Sequence, residues 1–459
     1  MDRRKFVASS IASIVAAKYA EAGSLLRKGN LIRQNPDSES TGLKFGDLSL
    51  NKLRDDYHYY LFEDFLPFME KYVIDHKYGG FMCNDDRDGT RINTKKRTWF
   101  EGRGIWVYSF LYRHFGKDEK YLDVATNSLK LIMKTKPSGD NLWPSVLSRE
   151  GEPLTRPSKR IYGSVFVAEG LNEYSLATGE GKYWDMAKEI ILKCWKIYNR
   201  PDYYPRIVAD YSGPKVIPFP GARIQGVAMV MITTINGMLD HRSDEQLEAI
   251  RSECTDAVIN KHFNPEFRLN NELLNHDYSR PDNYLSEFVY TGHSIETLRP
   301  IMEVAVKHKD LGLFRTATER FKRHVEVAWD QVYSGVLRSL NNVDQDEWEI
   351  TRTPKVLWAQ EEALNGMMVL IEQTGDEWAK KWFEKEYTYM VAKYWLKRYG
   401  YHLWITAADR KVTFTPHYDR IENYHLPRHL MLTYLALDKL IRTNGRPDWP
   451  AAAGNGEKK

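Results

Sequence analysis

The sequence predicts an all-α fold: an (α/α)6 barrel, a toroid of six helix pairs with small β-hairpins in its long loops. Three observations point there. Apolar residues recur at the 3.6-residue helical period in about twelve segments. Similar turns, Phe115-Gly116-Lys117-Asp118, Thr178-Gly179-Glu180 and Thr374-Gly375-Asp376-Glu377, return about every 63 to 67 residues. Weaker equivalents stand at Asp240-His241-Arg242-Ser243-Asp244 and His308-Lys309-Asp310. Finally, short turns alternate with loops of roughly 12 to 28 residues, which puts all long loops on one end of the pairs. An open solenoid of helical hairpins shares the first two features; six units with enriched loops favour closure.

The expected helices span 51–75, 101–115, 118–136, 160–177, 180–199, 219–239, 244–262, 288–307, 310–328, 355–374, 376–398 and 425–442. In the three stronger turns a glycine suits the end of one helix, and the acidic residues after it suit the start of the next. The long loops contain Tyr78-Gly79-Gly80-Phe81, Tyr333-Ser334-Gly335-Val336 and Tyr399-Gly400-Tyr401-His402, each a turn followed by strand-like residues and so a small hairpin. Asn84-Asp85-Asp86-Arg87-Asp88-Gly89 opens like a calcium loop, but position twelve is Lys95 rather than glutamate, so a hairpin turn is expected there.

The N-terminus reads as an address. Arg3-Arg4-Lys5 precedes an apolar stretch, Val7–Ala17, and a small-x-small site at Ala20-Glu21-Ala22. Residues 1–22 are therefore expected to be a Tat-type signal peptide that sends the protein to the periplasm or outside the cell. One catalytic domain is expected over 45–445, with 446–459 as a flexible tail. Three cysteines are too few for a disulfide framework.

With 66 basic and 62 acidic residues the net charge is only +4, which argues against nucleic acid as a partner. After processing, no stretch approaches the roughly 18 apolar residues of a membrane span. The 28 tyrosines and 13 tryptophans suit a thick helical core, and equally a saccharide, whose apolar faces stack on such rings. A small-molecule saccharide is the expected partner; a homodimer is left open.

In such a barrel the long loops enter the even, inner helices at one rim. Arg103 opens the second helix within Trp99-Phe100-Glu101-Gly102-Arg103-Gly104-Ile105-Trp106. His293 and Glu296 begin the eighth in Gly292-His293-Ser294-Ile295-Glu296. Trp358, Gln360 and Glu362 lie early in the tenth, and His425 starts the twelfth. Four inner helices thus bring polar groups to one level of one rim, which marks a candidate active site. His425 and His429 have the i, i+4 spacing of a metal pair, but Arg428 between them would repel a cation. No metal and no cofactor are expected.

These segments, from Tyr78-Gly79-Gly80-Phe81 to His425-Leu426-Pro427-Arg428, resemble the N-acylglucosamine 2-epimerase family, which includes cellobiose 2-epimerases and mannose isomerase-type enzymes. The resemblance covers roughly three quarters of the chain. It implies an (α/α)6 barrel, proton transfer at C2 of an aldose, and catalytic roles for Arg103, His293, Glu296 and His425. Inverting C2 needs a proton removed from one face and another returned to the opposite face, through an enediolate. Two histidines suit that task near neutral pH. Arg103 would stabilise the enediolate oxygen. Glu296, one helical turn after His293, would orient it or assist ring opening. Trp99, Trp106, Trp358, Gln360 and Glu362 are expected to hold the sugar.

The chain departs from the cellobiose enzymes at Gly163-Ser164-Val165-Phe166, where they carry His-x-His, and at Leu357-Trp358, where a tryptophan pair is usual. An N-acylglucosamine, mannose or another aldose therefore stays open, as does aldose–ketose isomerisation. The same barrel also hosts glycoside hydrolases, which need two carboxylates at the bond. Glu101, Glu169, Glu296 and Glu362 make that alternative countable, and a sugar-binding protein without catalysis is a third.

Overall fold

The computed structural model describes residues 42–205, 218–340, 354–395, 401–402, 405–407 and 420–449. The expected signal peptide, the Tyr399-Gly400 turn and residues 450–459 lie outside them. From Leu43 onward the chain forms one compact unit.

Twelve ring helices occur among the described residues, besides one 3-10 turn at Tyr284–Glu287. The first, α1, alternates between helix types: Leu50–Tyr59 and Leu66–Phe68 are α-helical, while Tyr60–Phe65 and Met69–Val73 are π-helical turns. Pro67 lies within it and has no N–H to continue an α-helical ladder. Then follow α2 (Thr98–His114), α3 (Glu119–Met133), α4 (Tyr162–Thr178), α5 (Lys182–Tyr198), α6 (Gln225–His241) and α7 (Glu245–Asp256). The ring is completed by α8 (Thr291–His308), α9 (Leu311–Ala328), α10 (Leu357–Thr374), α11 (Glu377–Lys393) and α12 (His425–Arg442).

The even helices touch in the order α2, α4, α6, α8, α10, α12 and back to α2, so the inner ring closes. Each is backed by the odd helix that follows it, and α12 by α1. This is the (α/α)6 toroid, and closure excludes the open solenoid. Backbones come closest between α2 and α4. There a Cβ on Gly102 would lie 2.5 Å from the Phe166 carbonyl, and one on Gly170 2.4 Å from the Gly102 oxygen.

Local sequence explains the two sets of helix starts. Asp118, Asp244, Asp310 and Asp376 cap the outer helices α3, α7, α9 and α11, each side chain accepting a backbone N–H of the first turn. No inner helix has a side-chain cap. Instead α2, α6 and α10 are entered directly from short strands: β1 (Lys96–Arg97), β3 (Arg223–Ile224) and β5 (Pro354–Val356). These pair antiparallel with β2 (Val146–Leu147), β4 (Leu273–Leu274) and β6 (Ile405–Ala407).

A buried lysine fixes two of these entries in the same way. Two residues before α2, Lys96 Nζ donates to Asp75 at 3.0 Å and to the Gly79 carbonyl at 2.5 Å. Two residues before α10, Lys355 Nζ donates to Asp330 at 2.6 Å and to the Ser334 carbonyl at 2.5 Å. The two expected glycine hairpins hang from these clamps, closed by bridges Ile74–Phe81 and Trp329–Val336. Five residues past each lysine a polar side chain seals its hairpin: Glu101 accepts the Phe81 N–H at 3.0 Å, and Gln360 accepts that of Val336 at 2.7 Å.

The Asn84–Gly89 segment forms the expected turn, with Gly89 N–H bonded to the Asp86 carbonyl and Asp86 N–H to that of Thr90. At the other end, ordered packing runs past the expected limit of 445. Asp448 and Trp449 N–H groups bond to the Glu372 and Gln373 carbonyls, and the Trp449 ring lies 5.0 Å from Phe314. Residues 446–449 therefore do not belong to a free tail. All three cysteines are buried thiols.

Candidate active site

A cavity of about 1340 Å³, counting its open mouth, enters the ring at the rim where the long loops meet the inner helices. Trp99, Arg103, His293, Glu296, Trp358 and His425 all line it. The indole of Trp358 lies between the two histidines, its ring centre 5.8 Å from His293 and 5.6 Å from His425.

Each histidine is held through Nδ1 by a buried carboxylate. His425 Nδ1 is 3.0 Å from Glu362 Oε1, and His293 Nδ1 is 2.8 Å from Glu272 Oε1. On the far side of the His425 ring, Nε2 is 3.3 Å from Nη2 of Arg103. A guanidinium can only donate, so Nε2 accepts and the proton of neutral His425 sits on Nδ1, toward Glu362. His425 therefore presents a basic nitrogen beside Arg103. Space for His293 comes from Gly226, where a Cβ would lie 2.6 Å from Nδ1.

Arg103 sits in an aromatic cage, its guanidinium carbon 4.1 Å from the ring centre of Phe166, 4.6 Å from Tyr424 and 4.8 Å from Trp99. Glu422 pairs with it at 3.3 Å and with Arg420 at 2.9 Å. Burial alone would raise the Glu422 pKa, but the two arginines and His425 bring it down to about 2. Behind His425, Arg428 donates to Glu362 at 2.5 Å, to Glu296 at 2.9 Å and to the Tyr424 hydroxyl at 2.7 Å. Against the effect of burial, Arg428, His425 and Arg299 keep Glu362 well below the usual carboxylate range, hence ionised. Glu169, buried and bonded by the Tyr424 hydroxyl at 2.5 Å, is shifted upward by burial.

Three expected substrate-binding residues are placed elsewhere. Gln360 is fully buried and bonds the Val336 N–H, the Val336 carbonyl and the Val356 carbonyl, so it holds a hairpin and does not face the cavity. Trp106 stacks on Phe110 at 5.0 Å and packs edge-on to Tyr424, one turn below the cavity lining. Glu362 lies behind His425 and reaches a substrate only through it. Glu296 is salt-bridged to Arg428, 4.0 Å from His425 Nδ1, rather than serving His293 on its own helix. The orienting carboxylate of His293 is Glu272, from the loop before β4. That loop has no helical period, and only the placement of an acid beside Leu273-Leu274 marked it as buried.

Among the described residues one group could gather around a metal: Glu296, Glu362 and His425 lie within 4.8 Å of one another. Arg428 already donates to both carboxylates and occupies the cation's position. His429 points away, bonded to Asn365 and Tyr57, and burial lowers its pKa to about 3. The hydrolase carboxylates are also accounted for. Glu101 is sealed against Ser128 and Phe81, and the two acids that line the cavity among the described residues, Glu272 and Glu296, are engaged with His293 and Arg428.

Fold and site together define an (α/α)6-barrel enzyme with two histidines facing one cavity. The sequence pattern described as N-acylglucosamine 2-epimerase (GlcNAc 2-epimerase) matches residues 79–427, and the chain belongs to that family of carbohydrate epimerases. It is 23% identical over 394 residues to the N-acylglucosamine 2-epimerase of Bos taurus, covering 80% of this chain and 87% of the relative. Among solved structures, the cellobiose 2-epimerase of Bacillus thermoamylovorans superposes with a TM-score of 0.68 at 18% identity, covering 84% of this chain and 99% of that one. A D-mannose isomerase superposes with a TM-score of 0.66 at 15% identity, over 85% and 97%.

Proposed function

We propose that the protein epimerises a reducing sugar at C2, an N-acylglucosamine/N-acylmannosamine pair or a related aldose, with His293 and His425 as the two acid–base groups. The observation that carries this reading is the placement of both imidazoles against Trp358, each backed at Nδ1 by its own carboxylate. For one epimer, His425 Nε2 takes the C2 proton from the open-chain aldehyde, and the electron pair moves onto O1. Arg103, beside that nitrogen, compensates the charge of the enediolate oxygen. His293, protonated and supported by Glu272, then gives a proton to the other face of C2. For the opposite epimer the roles exchange. Trp358 gives the sugar a flat face between the two bases.

Incubation of candidate aldoses in deuterated water, followed by NMR, tests this. Deuterium at C2 with formation of the 2-epimer is expected; new reducing ends, or no exchange with any aldose, would sink it. The export reading is part of the same proposal. It rests on Arg3-Arg4 and Ala20-Glu21-Ala22, and N-terminal sequencing of periplasmic protein should begin near Gly23.

A further inference from the structure

We propose that Tyr424 and Glu169 are positioning residues for the two groups on which proton transfer depends: the Tyr424 ring seats Arg103, and its hydroxyl, held by Glu169, keeps Arg428 from taking Nδ1 of His425. What His425 and Arg103 do rests on the epimerase reading; what holds them rests on contacts alone.

Tyr424 immediately precedes α12, so it is buried next to His425 at the same rim. Two guanidiniums from different helices share its ring. The guanidinium carbon of Arg103 lies 4.6 Å from the ring centre and that of Arg428 4.4 Å. A planar cation with an aromatic face to lie on is held in one orientation.

The hydroxyl works separately from the ring. Arg428 Nη1 donates to it at 2.7 Å, and a guanidinium cannot accept, so the hydroxyl must send its own proton elsewhere. Glu169, in the middle of α4, accepts that proton at 2.5 Å. The carboxylate thus fixes the direction of the O–H bond and leaves a lone pair facing Arg428. Without it the hydroxyl proton is free to turn toward the Arg428 N–H.

Arg428 matters because Nδ1 of His425 has two rivals. Glu362 Oε1, at 3.0 Å, accepts a proton carried by Nδ1; Arg428 Nη2, at 3.4 Å, can only donate to that nitrogen. If Glu362 prevails, Nδ1 keeps the proton and Nε2 stays basic beside Arg103. If Arg428 prevails, the proton moves to Nε2 and the base is lost. Glu362 and Glu296 both hold Arg428 by Nη2, and its Nε has no hydrogen-bond acceptor among the described residues. The Tyr424 hydroxyl holds the other arm of the fork, and so sets its rotation. Neither Tyr424 nor Glu169 is among the described residues that line the cavity, which points to an effect on kcat rather than KM.

The first measurement is the 15N–1H spectrum of the neutral His425 ring in protein with labelled histidines, assigned by its loss in His425→Asn. The unaltered protein should carry the proton on Nδ1. Tyr424→Phe, which keeps the ring, should move a measurable share of it to Nε2, and so should Glu169→Leu. Glu169→Gln, whose amide oxygen can accept from the hydroxyl, should restore most of what Glu169→Leu loses. In C2 exchange Tyr424→Phe should lower kcat about tenfold at unchanged KM, the scale of one charge-assisted hydrogen bond. The double variant Tyr424→Phe/Glu169→Leu should be no slower than the slower single one, since both break one unit. Tyr424→Leu also removes the ring from Arg103 and should cost roughly 10²-fold. Should Tyr424→Phe fail to fold, Glu169→Leu against Glu169→Gln makes the same comparison. A ring spectrum like that of the unaltered protein in Tyr424→Phe, or single-variant effects that multiply in the double variant, overturns the proposal. A spectrum that responds while no aldose exchanges at C2 upholds the positioning and defeats the epimerase reading. Exchange that persists at the full rate in Tyr424→Phe does the reverse.

Discussion

Glu362 stands behind His425 with its Oε1 3.0 Å from Nδ1, so the buried acid sets which imidazole nitrogen is left for the cavity. Arg428 and Arg299 keep that acid ionised. Replacing Glu362 by Gln offers Nδ1 an amide that can donate, which favours the tautomer with its proton on Nε2. A fall of roughly 10²–10⁴ in kcat is expected, with KM little changed, as for a triad carboxylate. Steady-state kinetics checks it; a change confined to KM would refute the positioning role.

Gly226 tests the other histidine. Its missing Cβ would lie 2.6 Å from His293 Nδ1 and 2.7 Å from the Tyr162 hydroxyl. Gly226→Ala should leave thermal stability close to that of the parent, since alanine favours a helix by up to about 1 kcal/mol. Displacing His293 from Glu272 should lower kcat about 10²-fold. Activity retained at the parent level would show that the ring position does not matter.

Gln360→Ala should behave in the opposite way. The Val336 N–H loses its acceptor in a buried hairpin, which should cost about 1–3 kcal/mol in urea unfolding. KM should hold, because Gln360 does not touch the cavity. A raised KM at unchanged stability would return it to the substrate site.

Glu386 provides a pH signature outside the site. Burial pushes its pKa up to about 8, against the lowering effects of Lys355 and Lys385, and among the described residues neither of its oxygens has a hydrogen-bond donor. From about pH 4.5, where an exposed glutamate ionises, to about pH 8 the folded chain holds a proton that the unfolded chain has released. Stability therefore declines as pH rises through that window and levels off above it. Glu386→Gln should remove this component, raising Tm relative to the parent at pH 8.5 and not at pH 4. Parallel Tm profiles of parent and variant across the range would contradict it.

Lys96→Met breaks a buried pair. Asp75, brought down to about 2 by Arg149 and Lys96 in spite of its burial, keeps Arg149 at 2.9 Å but loses its inner cation. Unfolding in urea should show a loss of about 3–5 kcal/mol, and Lys355→Met a similar one. A loss below about 1 kcal/mol in both would mean that the clamps do not hold the hairpins.

The barrel was legible because its signals are local and repeated. Gly179 and Gly375 do end helices in left-handed backbone, and Asp118, Asp310 and Asp376 do cap the next ones. His293, His425, Arg103 and Trp358 were legible as a rim cluster because helix starts share a level. Helical phase alone could not tell a side chain aimed at the cavity from one aimed at a hairpin, which is why Gln360 was misplaced. Its true signal is an internal match: Lys-x-x-Trp-x-Glu at 96–101 recurs as Lys-x-x-Trp-x-Gln at 355–360. Glu272 was missed because its pairing with His293 spans 21 residues of chain through a loop without periodicity.

That internal match also bears on how the barrel can change. Asp75 and Lys96 are 21 residues apart, Asp330 and Lys355 are 25, yet each lysine stops two residues short of its inner helix. The clamp absorbs the difference in length. Insertions and deletions on the hairpin side of either lysine leave Trp99 and Trp358, each three residues beyond, at their stations around the cavity. The rim is thus free to diverge in length and sequence while the floor of the cavity is inherited unaltered.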